Sequence, residues 1–204
     1  DLLAQVPLKH VVITSVDRDD LPDGGAAIWA ETIVRVHQAA PQMSVETLVG
    51  DFKGDPEDLA LVIEARPEIL AHNLETVARM HPAVRPQARY DRSLQVLAWI
   101  RESGLVAKTS IMVGIGETDE EVEQTLRDIR DRADTDILTI GQYLQPTRNH
   151  LPIDRWVTPE QFDHYRQVGL ELGFKVVESG PLVRSSYHAE EQAVVRVEQR
   201  RVSA

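Results

Sequence analysis

The chain has 204 residues, which is enough for one large domain or two small ones. Its formal net charge of −11 argues against a nucleic-acid partner bound by phosphate neutralisation. It contains no cysteine, which excludes disulfides, thiolate catalysis and thiolate-bound metal within these residues. No apolar run approaches the ~20 residues needed to cross a bilayer, so we expect no membrane span and a cytoplasmic location.

Short β-branched runs alternate with helical patterns along the chain. Strands are predicted, in order, at His10–Ser15, Met43–Val49, Ile69–Asn73, Val106–Val113, Ile137–Ile140 and Phe174–Val177. Helices are predicted after the first five strands, at Ala26–Ala39, from Asp55 onward, at Ser93–Ser103, from Thr118 through Arg132 and from Thr158 to Leu172. Asp55, Thr118 and Thr158 each carry a residue type and spacing typical of a helix start.

Nearly continuous apolar strands separated by helices indicate a parallel sheet covered on both faces. Right-handed crossovers allow either a doubly wound sheet or a barrel. No glycine-rich dinucleotide-binding sequence follows the first strand, which favours a barrel-like or partial-barrel α/β fold. We expect one domain over residues 1–190 and a charged tail over residues 191–204.

Polar residues follow the first three predicted strands, where parallel α/β folds bind their ligands. Asp23, Gly24 and Gly25 belong to the first of these segments, where an acidic surface loop is the alternative interpretation. Glu46 is a candidate to bind an amine or ribose hydroxyls. Asn73 and Glu75 offer a donor and acceptors, although an ordinary helix cap would use the same residues.

The later strand ends carry further candidates. Gly114 and Gly116 allow the backbone to pack against a planar ring, with Glu117 beside them. The fifth segment contains Gln142 and Arg148 in an irregular loop bounded by prolines, of a kind usually kept for a site. After the last strand come two candidate hydroxyls, at Ser185 and Ser186, which serve equally well as helix caps.

Four segments in order carry a family resemblance. They are Ser15–Gly25 (SVDRDDLPDGG), His72–Thr76 (HNLET), Gly141–Arg148 (GQYLQPTR) and Arg184–Ala189 (RSSYHA). Together they resemble lipoyl synthase, a radical S-adenosylmethionine (SAM) enzyme, over roughly residues 8–192. The resemblance implies a partial (β/α)6 TIM-like barrel of the radical SAM type, with its first strand missing from this chain.

The resemblance also implies roles for particular residues. Asp23–Gly25 is similar to the motif that meets the methionine amino group of SAM, and Asn73 and Glu75 occupy a cofactor-contacting strand end. Gly114–Glu117 is similar to the motif beside adenine. One serine of the Arg-Ser-Ser-Tyr motif, Ser185 or else Ser186, would ligate an iron of the family's auxiliary cluster.

The family reaction inserts sulfur at C6 and C8 of an octanoyl chain. It uses SAM and two 4Fe-4S clusters, acts on an octanoylated lipoyl domain (an E2 subunit or the glycine cleavage H protein), and takes electrons from a donor such as ferredoxin or flavodoxin. The cluster cysteines have no counterpart here, so we expect a piece of a longer enzyme that is inactive alone, with an exposed edge on its first strand.

Two other interpretations remain open. One is a cysteine-free paralogue that binds a nucleoside or an acylated carrier domain without chemistry. The other is an unrelated metal-free barrel enzyme that uses Glu46 or Glu75 as a base. Arg85, Arg89 and Arg148 are candidate contacts for either the SAM carboxylate or an acidic carrier.

Overall fold

The computed structural model describes Leu3 and residues 7–192. Its strands are β1 (His10–Thr14), β2 (Ser44–Leu48), β3 (Ile69–Ala71), β4 (Val106–Val113), β5 (Ile137–Gln142) and β6 (Val176–Gly180). Its helices are α1 (Ala26–Ala39), α2 (Pro56–Glu64), α3 (His81–Val84), α4 (Tyr90–Glu102), α5 (Asp119–Ala133), α6 (Pro159–Glu171) and α7 (Ala189–Gln192). A single 3₁₀ turn, Phe52–Gly54, precedes α2.

The six strands form one sheet in the order β1-β2-β3-β4-β5-β6, with every neighbouring pair parallel. A doubly wound sheet reverses its strand order at a switch point, and this sheet never does. The barrel-type architecture predicted from the sequence is therefore confirmed. Helix α7 follows β6 and contacts β1, so the segment after β6 runs between the two edge strands.

The two faces of the sheet differ in chemistry. On the outer face, aliphatic residues pack against the helices in two clusters, one around Ile33 and Val62 and the other around Leu126 and Phe162. The inner face begins with a small apolar cluster at one end of the barrel, formed by Ile69, Val106, Ile137 and Val176.

Beyond that apolar cluster the barrel interior contains a buried ion pair. The Lys108 ammonium donates to Glu46 Oε1 at 2.7 Å, and each side chain is 1% exposed. His10 Nε2 lies 3.6 Å from the other Glu46 oxygen. Since Lys108 is on β4 and Glu46 on β2, the lysine crosses the inner face of β3, where its register partner is the small residue Ala71. Burial lowers the pKa of Lys108, and the neighbouring Glu46 carboxylate opposes that shift.

The helix starts follow the local sequence. Asp55 accepts a hydrogen bond from the Glu57 amide, and Thr158 accepts one from the Gln161 amide. Thr118 and Glu121 form a reciprocal capping box at the start of α5. These three predicted starts are confirmed, because a cap depends only on residues within one turn of helix.

The element ends depend on tertiary contacts, and there the sequence predictions were less accurate. Strand β5 continues two residues past the predicted end because Gln142 pairs with Val113 of β4. Helix α4 begins at Tyr90 rather than Ser93. Phe174 precedes β6 instead of starting it, and packs beneath the Arg130 guanidinium, 5.2 Å from the ring centroid.

Two further expectations concern the edges of the fold. Strand β1 pairs only with β2 among the described residues, as expected for an edge strand. The predicted tail was to begin at Glu191, but Glu191 and Gln192 belong to α7, and Gln192 is buried. Residues 193–204 lie outside the described residues. No helix in the described part of the chain combines the length and apolar character required to cross a membrane.

Replacing one member of the buried pair should destabilise the fold more than replacing both. Lys108→Met leaves the Glu46 carboxylate buried without its counterion, so we expect the free energy of unfolding to fall by about 3–5 kcal/mol. The double variant Lys108→Met/Glu46→Leu removes both charges and should recover most of that loss. Urea denaturation of both variants measures their free energies of unfolding. An equal loss of stability in the single and the double variant would show that the unpaired Glu46 charge is not what destabilises Lys108→Met.

Candidate functional site

Two adjoining cavities open where β1, β2 and β3 end. The first, of about 390 Å³, is lined by residues from all three strand ends, including His72, Asn73 and Glu75. The second, of about 640 Å³, shares Asp17 and Arg85 with it and continues toward Gly24 and the loop before α4. Both volumes fall within the range of about 300–1,000 Å³ that is typical of small-molecule sites.

The segment after β3 supplies the wall of this cleft that carries Asn73 and Glu75. Glu75 is held at φ 72°, and its backbone pairs with β4 through Ser110 and Met112. Burial raises the pKa of the Glu75 carboxyl, which Arg85 and Asn73 partly offset. Asn73 Oδ1 is buried and has no hydrogen-bond partner among the described residues. An orphaned acceptor of this kind is stabilised when a ligand donor reaches it.

Arg85 supplies a positive charge at the junction of the two cavities. Its guanidinium donates to the Asn73 carbonyl oxygen at 3.0 Å, which fixes the side chain against the β3 exit. Among the described residues it has no carboxylate within ion-pair distance. Because Arg85 lines both cavities, its remaining N–H groups are available to a carboxylate or phosphate.

His72 ties the β3 exit to its neighbours. One ring nitrogen lies 3.1 Å from the Val49 carbonyl oxygen and the other 3.0 Å from the Ser93 hydroxyl. The carbonyl can only accept, so Nδ1 carries the proton and Nε2 accepts from Ser93. Burial lowers the pKa of His72 to about 4, which keeps the ring neutral at pH 7. The ring thus positions Asn73 relative to β2 and α4.

The segment after β1 places its candidates around the start of α1. Asp23 accepts hydrogen bonds from the amides of Gly25 (2.9 Å) and Ala27 (3.0 Å), and these bonds lower the pKa of its carboxyl. Gly24 lines the larger cavity with φ 58°. Asp17, which the sequence analysis did not select, lines both cavities. The signal that pointed to it was only its position after a strand.

The β4 exit is held together by its own carboxylate. Glu117 is buried and accepts hydrogen bonds from the amides of Gly114 (2.6 Å), Ile115 (2.9 Å) and Gly116 (3.2 Å). A side chain at Gly114 would collide with Gln142 and with the Arg155 carbonyl oxygen, so protein atoms already occupy that space. The adenine contact inferred for this segment stays a prediction, and the structure shows Glu117 as the residue that shapes the loop.

Gln142 and Arg148 have separate positions although one loop connects them. The Gln142 amide is buried, donates to the carbonyls of Val113, Tyr143 and Arg155, and accepts from the Val157 amide at 2.9 Å. It therefore braces the loop between β5 and α6, and its predicted cofactor contact stays a prediction. Arg148 is exposed farther along that loop and lines neither cavity.

The remaining candidates lie away from the two cavities. Glu46 is within β2 rather than beyond its end, and its carboxylate is paired with Lys108 inside the barrel. Ser185 and Ser186 lie in the turn after β6, and neither hydroxyl has a hydrogen-bond partner among the described residues. Only the Ser186 carbonyl contacts the start of α7, by accepting from the Ala189 amide. Their role as cluster ligands stays a prediction.

Of the two cofactors that the resemblance implies, SAM suits the residues present and an iron–sulfur cluster does not. SAM fits the cleft, since the Asn73 acceptor, the Glu75 carboxyl and the Arg85 cation are the groups that an amine, ribose hydroxyls and a carboxylate require. An iron–sulfur cluster does not fit, because clusters are held by thiolates and the chain contains no cysteine. Over Leu3 and residues 7–192, no group of three or more His, Asp or Glu is arranged to hold a metal ion.

The family model for the radical SAM superfamily matches residues 1–129. The chain belongs to the radical SAM superfamily. It is also 55% identical over 194 residues to a lipoyl synthase of Rubrobacter xylanophilus, covering 94% of this chain and 60% of that protein. A lipoyl synthase of Flavobacterium johnsoniae is 55% identical over 184 residues, covering 90% of this chain and 64% of that protein. The chain thus spans a little under two thirds of the length of these relatives.

Two solved structures share the fold at low sequence identity. Methylornithine synthase has a TM-score of 0.64 at 15% identity, over 87% of this chain and 60% of that chain. A domain of pyruvate-formate lyase-activating enzyme from Bacteroides vulgatus has a TM-score of 0.61 at 13% identity, over 82% of this chain and 98% of that chain. These fold similarities support the partial-barrel architecture.

The neutral state of His72 makes stability depend on pH. Because the pKa is about 4 in the folded state against 6.5 unfolded, the unfolded chain binds the extra proton between these values. Stability is therefore lost as the pH falls from 6.5 to 4, by about 3 kcal/mol from this residue. His72→Gln removes that dependence, so denaturant titrations at pH 7 and pH 4.5 should give a smaller difference for the variant. An unchanged difference in stability between the two pH values would contradict the conclusion that His72 is buried in its neutral form.

Gly114→Ala should destabilise the β4 exit through crowding. Gly104 provides the control, since it also has positive φ but a side chain there would meet nothing within 4 Å. We expect Gly114→Ala to cost about 1–3 kcal/mol more than Gly104→Ala, which is the usual range for overpacking. Thermal and urea denaturation give the comparison, and equal costs would mean that backbone strain alone requires glycine at position 114.

Proposed function

We propose that this chain forms the SAM-binding barrel of a lipoyl synthase. In that role it takes part in the insertion of two sulfur atoms at C6 and C8 of an octanoyl chain carried on a protein lysine. The observation that carries the proposal is the cleft at the β3 exit, where Asn73, Glu75 and Arg85 converge beside a neutral His72. The 55% identity to lipoyl synthases over nearly the whole chain supports it.

The residues of the cleft suit the parts of SAM. Bound SAM supplies the reactive 5′ carbon and the methionyl group, and the chain's own residues orient them. Glu75 accepts hydrogen bonds from the ribose hydroxyls, and Asn73 Oδ1 takes a donor that it otherwise lacks. Arg85 pairs with the methionyl carboxylate, and Gly24, which lines the larger cavity, approaches the methionyl amine from the start of α1.

The partners are part of the same proposal. The substrate is an octanoylated carrier domain, either an E2 subunit or the glycine cleavage H protein, and electrons come from a ferredoxin or flavodoxin in the cytoplasm. Because no cysteine is present, the barrel residues account for cofactor and substrate binding and not for cluster chemistry. That these 204 residues alone do not turn over stays a prediction.

The absence of cysteine favours a second candidate, a paralogue that binds a nucleoside or an acylated carrier domain without chemistry. The two candidates differ in cells. If the gene that encodes this chain belongs to a lipoyl synthase, deleting it should remove lipoyl groups from carrier proteins on an anti-lipoyl immunoblot, and the intact gene should restore them. Unchanged lipoylation in a strain without another lipoyl synthase would favour the paralogue.

SAM binding by the purified chain tests the cleft directly. Hydrogen bonds to charged groups are worth about 1.5–3 kcal/mol, so Glu75→Gln should weaken SAM binding by roughly tenfold or more. Asn73→Ala should weaken it as well, by removing the orphaned acceptor. Glu102→Gln is the matched control, because Glu102 is exposed at the end of α4 and lines neither cavity.

Isothermal titration calorimetry with SAM provides the measurement, and circular dichroism verifies that each variant is folded. The control should bind like the unaltered chain. Equal binding by Glu75→Gln and Glu102→Gln would remove the β3 exit from the proposed site.

A further inference from the structure

A turn after β2 has an unfavourable backbone conformation beside the larger cavity. Phe52 and Lys53 have φ values of 46° and 54°, and Gly54 follows at 80°. Side chains crowd the backbone in this left-handed region, so two consecutive non-glycine residues there need support from the surrounding structure. Phe52 and Lys53 both line the larger cavity. The strained turn is therefore part of the wall of the proposed site.

Arg92, near the start of α4, supports this turn from one side. Its Nε donates to Asp51 Oδ2 at 2.8 Å, and a second guanidinium nitrogen lies 2.7 Å from the same oxygen. The other Asp51 oxygen accepts from the Lys53 amide at 3.0 Å. The Arg92 stem packs against Gly54, where a Cβ atom would lie only 2.8 Å from Arg92 Cδ. Arg92 therefore holds the turn both through Asp51 and by direct packing.

The same guanidinium also holds the loop before α4. It donates to the Gln87 carbonyl oxygen at 2.9 Å, and its third nitrogen lies 3.5 Å from the Lys53 carbonyl oxygen. All three nitrogens of Arg92 therefore face protein oxygens. Arg85 differs, since within the described residues it has no carboxylate at ion-pair distance. Arg92 is thus suited to position other residues, whereas Arg85 is suited to bind a ligand.

The turn carries this support to the segment after β1. Phe52 is 6% exposed, and a Cβ atom at Gly24 would lie 3.1 Å from Phe52 Cδ1, so the ring packs directly against the Gly24 backbone. Lys53 adds a second link, because its ammonium donates to the Asp19 carbonyl oxygen at 3.3 Å. Gly24 lines the larger cavity as well. A series of contacts therefore leads from the arginine on α4 to this glycine.

We propose that Arg92 is a positioning residue which, through Asp51 and the strained turn, holds Gly24 in place to meet the methionyl group of SAM. The choice of ligand rests on the proposed function, in which Gly24 approaches the methionyl amine. Without Arg92 the turn relaxes toward a more favourable backbone conformation, and the Phe52 ring no longer supports Gly24. The ribose hydroxyls meet Glu75 at the β3 exit instead, so binding of the adenosine part does not depend on Arg92.

Calorimetric titration with SAM and with 5′-methylthioadenosine, which lacks the methionyl amine and carboxylate, tests the proposal. We expect Arg92→Gln to weaken SAM binding by about tenfold and 5′-methylthioadenosine binding by less than about twofold. Arg92→Lys should lose less SAM affinity, because its ammonium keeps the charge but cannot contact Asp51 and Gln87 together. Arg101→Gln is the matched control, since Arg101 is also on α4, lies 3.3 Å from an Asp134 oxygen and lines neither cavity. It should bind both ligands like the unaltered chain.

A double-mutant cycle separates positioning from direct contact with the ligand. If Arg92 acts through Asp51, Asp51→Asn should weaken SAM binding to a similar degree, and the double variant should bind SAM about as well as either single variant. Losses of affinity that add would show that Arg92 contacts SAM itself. Equal weakening of SAM and 5′-methylthioadenosine by Arg92→Gln would show a general structural role. Either of these two results would overturn the proposal.

Hydrogen exchange tests the same contacts without any ligand. The amides of Gly24, Gly25 and Ala26 are hydrogen-bonded within the segment after β1. Their exchange should be about tenfold faster in Arg92→Gln and unchanged in Arg101→Gln, with circular dichroism verifying that both variants are folded. Unchanged exchange in Arg92→Gln would overturn the proposal whether or not SAM binds.

SAM affinity of the unaltered chain separates this proposal from the proposed function. If SAM binds the unaltered chain and Arg92→Gln equally well, the positioning role fails alone. If SAM does not bind the unaltered chain, the proposed function fails, and hydrogen exchange still decides whether Arg92 holds Gly24.

Discussion

The barrel depends on how its inner face is filled, and at its centre that face is filled by a buried charge pair. Lys108 reaches from β4 across β3 to Glu46 on β2. Its Nζ lies 2.7 Å from Glu46 Oε1, and both side chains are 1% exposed. The strands joined in this way are the ones whose ends form the cleft. Separating either charge from its partner is costly in a medium that solvates neither, so the pair restricts the relative positions of β2, β3 and β4. An apolar filling of similar volume would pack without that directional requirement.

The cleft lies at the ends of β1, β2 and β3, where polar side chains face a cavity instead of one another. His72 is neutral, has both nitrogens satisfied and holds the β3 exit against β2 and α4. Two residues that follow it therefore face the cleft. Asn73 offers an acceptor without a hydrogen-bond partner among the described residues, and Glu75 offers a carboxyl whose pKa is raised by burial. Farther around the barrel the polar residues are mostly satisfied internally, as Glu117 and Gln142 show. This contrast supports the proposal that ligand contacts lie at the β3 exit rather than at the β4 and β5 exits.

Charged side chains are also distributed unevenly around the ends of the strands. Carboxylates surround the start of α1, and the β5 and β6 exits contain none. A small cofactor with both an amine and a carboxylate can use the mixed charges near β1 to β3.

Strand positions, helix starts and the family resemblance could be inferred from the sequence, because they depend on periodicity, on caps formed within one helical turn and on motifs read in order. Thr118 and Asp55 illustrate this, since each cap lies beside the amide that it binds. The roles of Glu46, Glu117 and Gln142 could not be inferred in this way. Each was selected for its position near a strand end, yet each is bound by protein groups, as one Glu46 oxygen is by Lys108. The sequence by itself determined which residues gather at the strand ends. Only the tertiary structure decided which of them face the cleft, because that depends on partners brought together by the closing of the sheet.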